Sequence, residues 1–221
     1  MSTVAILQIR VGGLTPMPAT GKPTGMFKTG VDGRVQFGLR GIVGDAVAEK
    51  RIHGGPEKAV HQFPVEHYAR WAAAFPEAAA ALLPGSVGEN LVSQGATEDT
   101  VCIGDVYAFG SARLQVAQPR SPCVKLEQRF DAEGLAAWAD RQGCVGWYLR
   151  VLEAGTAAAG EPFTLVARNP DPIALAEVWR LRHTLRPPLA ALQRLIDSPG
   201  LSPQLLPKLC QRRDWLLAQS R

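Results

Sequence analysis

The segment QPRSPCVKL, residues 118–126, holds the residues best suited to chemistry. Pro119 and Pro122 fix the backbone on either side of Arg120 and Ser121 and deliver Cys123 straight after a predicted strand. Arg120 and Lys125 are basic neighbours that favour a thiolate, and a thiolate is a soft ligand suited to a redox metal. A cysteine in a proline-rich turn is also commonly a small buried hydrophobe. Residue chemistry alone leaves both readings open.

Three further segments carry weaker signals. In GLRGIVGDAVAEKRIHGGPEKAVHQFP, residues 38–64, Asp45 follows a glycine and His53 precedes Gly54, Gly55 and Pro56. Glycines there let the backbone approach a ligand and turn amides towards an anion, with Lys50, Arg51 and Lys58 adding positive charge. Charged Gly-Pro loops are also ordinary solvated turns. In GKPTGMFK, Lys22 and Lys28 flank a turn and read as surface lysines. In GENL, Glu89 and Asn90 leave a turn and enter a strand, and the Asn90 amide both donates and accepts. His67 and Trp71 lie one helical turn apart and read as core or solvent positions.

The remaining cysteines carry no motif: Cys102 reads as buried in an apolar strand, and Cys144 and Cys210 stand alone. No GxSxG, P-loop, GxGxxG, HExxH or EF-hand pattern is present. No CxxC pair occurs, and no His, Asp or Glu cluster has the spacing of a protein-only metal site.

These loops need a scaffold, and the first two thirds of the chain supply short strands. Thr3–Ile9, Arg34–Gly38, Ala59–Phe63, Glu89–Val92, Val101–Phe109, Arg113–Gln118, Trp147–Leu152 and Phe163–Val166 are predicted strands separated by Gly, Pro, Asp and Asn clusters. Many short strands joined by turns point to a barrel or sandwich rather than a parallel α/β sheet. Val65–Leu83 predicts two short helices broken at Pro76. Asp131 is placed to cap a helix over Ala132–Arg141. Beyond Asn169 the character turns Leu-, Ala- and Arg-rich, predicting helices at Ile173–Leu181, Leu189–Ile196 and Gln204–Gln219, with Pro207 in a first turn. The expected division is a barrel over residues 1–168 and a three-helix domain over 169–221.

The 221 residues are 46% hydrophobic and 20% charged, enough apolar matter for a sizeable core without covalent staples. The net charge of +4 is mild and dispersed. A nucleic-acid binder would show a clustered basic stripe. The apolar run at the N-terminus is too short for a signal peptide, and no window reaches a membrane span. A reduced, cytoplasmic protein without membrane or nucleic-acid partners is the expectation.

Taken in order, GxxGD with HGGP and AV, then GENL, then QPRSPCVKL resemble the MOSC family, related to the C-terminal domain of molybdenum-cofactor sulfurase. The likeness is to its YiiM-type subfamily and covers essentially the whole chain. It implies a fold that is mainly β with α, a MOSC-type barrel followed by a small three-helix domain. It also implies that Cys123 ligates molybdenum as the catalytic residue. Lys22, Arg51, His53, Gly54, Asn90, Arg120 and Ser121 would bind the molybdenum cofactor, a molybdopterin whose phosphate requires cations and backbone donors. His61, within AVHQFP, stands where the family does not hold a histidine fixed and is left out of that set. The implied activity is reduction of N-hydroxylated compounds such as N-hydroxylated purine bases.

The chain shows no iron–sulfur, flavin or nicotinamide fingerprint. The implied reaction therefore calls for electrons from a separate flavin or iron–sulfur reductase. A homodimer is compatible with the sequence. Two rival readings remain: a non-catalytic carrier of the cofactor or its sulfur, and a nucleic-acid module using Arg212 and Arg213.

Overall fold

Strand β1 (Thr3–Val11) shows how the sequence builds the scaffold. Val4 and Ile6 are buried on one face, yet the next buried residue is Ile9. A bulge between Ile6 and Gln8 shifts the alternation by one residue, which lets β1 keep an apolar inner face while it bends. The computed structural model describes residues 3–219.

Five short strands follow: β2 (Thr15–Pro16), β3 (Pro23–Thr24), β4 (Thr29–Gly30), β5 (Arg34–Gly38) and β6 (Gly41–Ile42). Helix α1 (Lys50–His53) and a single turn at Pro56–Lys58 lead into β7 (Val60–Pro64). Helix α2 (Glu66–Ala74) and a turn at Pro76–Ala78 lead into β8 (Leu91–Gln94). Next come β9 (Val106–Phe109), β10 (Ala112–Pro119), α3 (Lys125–Phe130), α4 (Leu135–Gln142), β11 (Trp147–Glu153), β12 (Gly155–Ala158) and β13 (Phe163–Ala167). Helices α5 (Leu175–His183), α6 (Leu189–Ile196) and α7 (Leu206–Gln219) end the described chain.

Seven strands close a barrel in the order β13-β9-β10-β11-β7-β8-β1, and β1 returns to β13 through Thr3 and Thr164. Closure removes the sheet edges. All pairings are antiparallel except β7 with β8. A parallel pair needs a crossover, and α2 with the turn after it provides one. Every residue of β7 is buried because barrel and crossover helix cover both of its faces.

The core has two parts. One fills the barrel with Ile6, Phe109, Leu114, Leu149 and Phe163 and runs on to Leu175 of α5 and Leu195 of α6. The other joins Phe63 to Trp71 of α2, Leu126 of α3 and Leu135 of α4. No helix among the described residues is long and apolar enough to cross a membrane.

The predicted strands are found with end shifts, except Val101–Phe109, which is a strand only from Val106. Gly104 adopts φ +80°, and Asp105 accepts a hydrogen bond from the Cys102 amide at 2.9 Å, so Val101–Asp105 is a turn. Cys102 is buried there on an isolated bridge to Ala174, not inside a strand. Asp131 does not open a helix; at φ 49° it terminates α3, which the sequence reading lacked along with α1, β12 and the two-residue strands. The break at Pro76, the three terminal helices and the place of Pro207 in the first turn of α7 agree with expectation.

Candidate functional site

The end of β10 turns sharply at Pro119, and the Arg120 amide donates to the Gly146 carbonyl at 3.0 Å. That contact ties the PRSPC segment to the turn entering β11. Cys123 then sits half-buried before α3, its carbonyl accepting from the Leu126 amide at 3.0 Å. Cys123 lines a cleft open to solvent, with a cavity volume of about 90 Å³ at its floor.

His53, Asn90, Arg120 and Cys123 all line this cleft, although they come from four separate segments. Lys28, Asp45, Glu49, Lys58, His61, Lys125 and Tyr148 line it too. Lys22, Arg51, Gly54 and Ser121 do not. Lys22 is exposed and stands near the rim, where its charge is felt by Glu49. Arg51 is exposed on α1. The Gly54 amide is spent on closing α1 against the Lys50 carbonyl at 3.2 Å. Ser121 turns away towards α5, where its hydroxyl accepts from Arg182 at 2.8 Å.

Arg120 is satisfied only in part by the protein, through the Val87 carbonyl and the Tyr148 hydroxyl. Only 7% exposed, it donates through Nη2 to the Val87 carbonyl at 3.1 Å, while Nη1 is buried without a partner. No carboxylate pairs with it among the described residues. A buried charge without a counter-ion costs several kcal/mol, roughly, and an anion in the cleft would remove that cost.

Asn90 is used differently. Its Oδ1 accepts from the His61 amide at 3.0 Å, and its Nδ2 donates to the Arg10 carbonyl at 3.1 Å and to Asp45 Oδ2 at 2.9 Å. Those bonds clamp β1, β7 and the Asp45 loop together, so Asn90 shapes the cleft wall. Asp45 also accepts from the Gly12 amide and from Lys28 Nζ. Lys28, read from sequence as a surface lysine, is thus a buried partner of Asp45. Burial pulls its pKa down, with the Asp45 charge opposing that. A period-two signal was there to be found: Thr24, Met26 and Lys28 are the alternate, inward residues of that loop.

At the mouth, Lys125 Nζ donates to Glu49 Oε1 at 2.8 Å, joining α3 to the residue before α1. That hydrogen bond holds the Glu49 carboxyl below its ordinary value. The His53 imidazole is pulled down first by burial and then by the charge of Arg120. Lys58 Nζ donates to the Ile52 carbonyl at 2.6 Å and lies 6.0 Å from the Tyr148 ring centroid. Its pKa is lowered by burial and by Lys208.

Two buried carboxylates build the walls without entering the cleft. Glu89 accepts from the Tyr68 hydroxyl and from the amides of Gly85 at 2.6 Å and Val87 at 3.1 Å. Glu98 accepts from the amides of Val145 at 3.0 Å and Gly146 at 2.8 Å and contacts His67 Nε2 at 2.6 Å. His67 and Trp71 are both buried, the core alternative of the sequence reading. Neither Arg212 nor Arg213 is a free basic group: Arg212 donates to the carbonyls of Leu181 and Arg182, and Arg213 pairs with Asp214.

Residues 49–164 match the MOSC domain. The chain is 38% identical over 193 residues to Protein YiiM of Escherichia coli, covering 87% of this chain and 86% of that one. The crystal structure of YiiM from Escherichia coli superposes with a TM-score of 0.82 at 30% identity, covering 97% of this chain and 94% of that chain. A protein named Reductase from Gibberella moniliformis is 37% identical over 165 residues, which span 74% of this chain and 29% of that longer protein. On this combination of sequence and fold, the chain belongs to the MOSC domain family, in its YiiM-type branch.

Proposed function

We propose that the protein is a molybdenum-cofactor-dependent reductase of N-hydroxylated compounds, with Cys123 as the metal ligand. One observation supports this above the others: a buried guanidinium without a counter-ion shares a cleft with a half-buried thiol. The thiol suits a soft metal, and Arg120 suits the phosphate of an anionic pterin. Among the described residues no group of three or more His, Cys, Asp or Glu is placed to hold a metal ion. Cys123 therefore offers one ligand, and the others would come with the cofactor.

When bound, the cofactor supplies the two electrons that cleave the N–O bond. The overall change takes R–NHOH, two electrons and two protons to R–NH2 and water. The protein's residues bind and orient around that chemistry. Arg120 holds the anionic group, and Asn90 keeps β7 and the Asp45 loop in register. The Lys125–Glu49 bridge narrows the mouth, while Lys22 and Arg51 add positive charge outside it. The electrons would come from a separate flavin or iron–sulfur protein. The Gibberella protein named Reductase, in which this domain is a minor part, is compatible with such a pairing.

The test is direct. Freshly purified protein is analysed for molybdenum and for pterin fluorescence, then supplied with a reduced viologen and N-hydroxylaminopurine. The expected result is bound pterin, bound metal and formation of the amine. Cys123→Ser should drop turnover to background with the fold retained, because a protonated hydroxyl is a poor substitute for a thiolate. Native turnover in that variant, or a loaded wild-type protein that leaves N-hydroxylaminopurine untouched, rejects the reading.

A further inference from the structure

We propose that His61 reads the ligand in this cleft: its imidazole, on β7 opposite Tyr148 and near Arg120, hydrogen-bonds the edge of a bound nitrogen heterocycle. The heterocycle is either the pterin of the cofactor or the base of the substrate. The inference rests on the function proposed above and adds a contact to it.

His61 is 5% exposed on a strand buried along its whole length, yet it lines the cleft. Its neighbour Gln62 is satisfied, accepting from Trp147 Nε1 at 3.2 Å. Among the described residues, His61 Nε2 is buried with no well-formed hydrogen bond. An unsatisfied buried polar group costs about 1–3 kcal/mol, a poor choice for a position serving only the barrel.

The ring is also held in place. The His61 amide donates to Asn90 Oδ1 at 3.0 Å, and its carbonyl accepts from the Asn90 amide at 2.8 Å. Tyr148, its register partner on β11, lies 5.4 Å away between ring centroids, and Phe63 lies 6.3 Å away. Gly146, at φ +71°, is the only residue type that fits behind the ring. A Cβ there would lie 3.2 Å from His61 Nε2 and 2.3 Å from the Gln62 carbonyl oxygen.

Arg120 and His61 offer different chemistry. A guanidinium donates only and selects an anion, whereas a neutral imidazole donates from one nitrogen and accepts at the other. Burial first, and the Arg120 charge second, hold His61 in that neutral form, against the opposing pull of the Gly88 and Val145 backbone beside the ring. The two nitrogens point apart, so one of them meets the ring, and either role finds a match on the alternating donor and acceptor edge of a pterin or a purine. The phosphate would go to Arg120 and the ring edge to His61.

The experiment compares the wild-type chain with His61→Phe and His61→Gln, all expressed with cofactor supply. Pterin content per chain is read by fluorescence, and the affinity of loaded protein for N-hydroxylaminopurine by calorimetry. His61→Phe should lower one of the two by about tenfold, the effect of one lost hydrogen bond, and His61→Gln should restore it to within about threefold. Loss of pterin identifies the cofactor as the group read; full pterin with weakened base affinity identifies the substrate. Native values for both in His61→Phe overturn the inference. If that variant fails to fold, nitrogen NMR of the wild-type imidazole decides. Ring signals that move on loading or on base addition support the contact, and unmoved signals overturn it. Wild-type protein that binds neither pterin nor base rejects the proposed function itself, whereas normal wild-type binding with an indifferent His61 rejects only this contact.

Discussion

Glu98 and Arg120 are both buried charged residues tied to the same turn, and the protein treats them in opposite ways. Glu98 accepts two amides from that turn and meets His67, so its carboxylate is fully engaged. Arg120 reaches the same turn through its backbone but leaves Nη1 idle and finds no carboxylate among the described residues. Such a network serves the fold, because the carboxylate itself is matched inside the protein, although His67 Nδ1 at its far end has no partner among the described residues. An open one holds a desolvated charge ready for something from outside. The contrast separates residues that support the site from residues that face a ligand, and burial alone would not separate them.

Removing Glu98 tests the closed side and should have the largest effect. Glu98→Ala leaves two buried amides and a histidine without an acceptor, so stability should fall by at least about 3 kcal/mol in urea unfolding. A loss below about 1 kcal/mol would erase the contrast with Arg120.

Arg120→Met tests the open side and should act with the other sign. Cofactor-free protein should be more stable by about 1 kcal/mol, since an unpaired buried charge is replaced by an apolar side chain of similar length. Pterin content should fall in the same variant. Destabilisation of the cofactor-free form would mean that Arg120 has a charged partner within the fold.

Histidine titration sharpens the comparison further. The folded chain keeps His61 neutral well below the ordinary 6.5, while the unfolded chain takes up its proton near that value. The unfolded state therefore binds more protons below pH 6.5, and the stability contributed by a neutral His61 is present above that pH and lost as pH falls. Cofactor-free wild type should lose stability on acidification with about one proton more slope than His61→Gln, the two curves running parallel above about pH 7.5. Parallel curves throughout would place His61 in contact with water. The smallest effect is expected at Ser121→Ala, under about 0.5 kcal/mol, since an exposed hydroxyl loses only its bond from Arg182.

Much of the architecture was legible in residue patterns. The alternation in β1, the proline break after α2 and the Leu-rich run after Asn169 each reflect a local preference that the packing does not override. The turn at Val101–Asp105 was hidden because its residues are apolar; only Gly104 and the Asp105 carboxylate bend it. For the site, Cys123 and Arg120 were flagged by their own segment. Lys28 reads as a surface lysine and His61 is set aside because the family does not hold a histidine there; the meaning of both depends on Asp45, Asn90 and Tyr148, which reach them only through sheet register and loop packing. Ser121 shows the reverse. Its neighbours in sequence face the cleft, but the backbone turn at Pro122 sends its own hydroxyl towards α5.

The seam where β1 meets β13 joins the earliest described strand to one synthesised far later. On a ribosome moving at about 5–20 residues per second, Thr3 waits on the order of ten seconds or more for Thr164 to emerge. During that interval β8 can cover one side of β1 and β4 the end at Arg10 and Val11, but the edge at Thr3 and Val4 stays open as a template for any extended chain nearby. Nascent chains halted before Phe163 should therefore be the species that chaperones hold and that self-associate when chaperones are scarce.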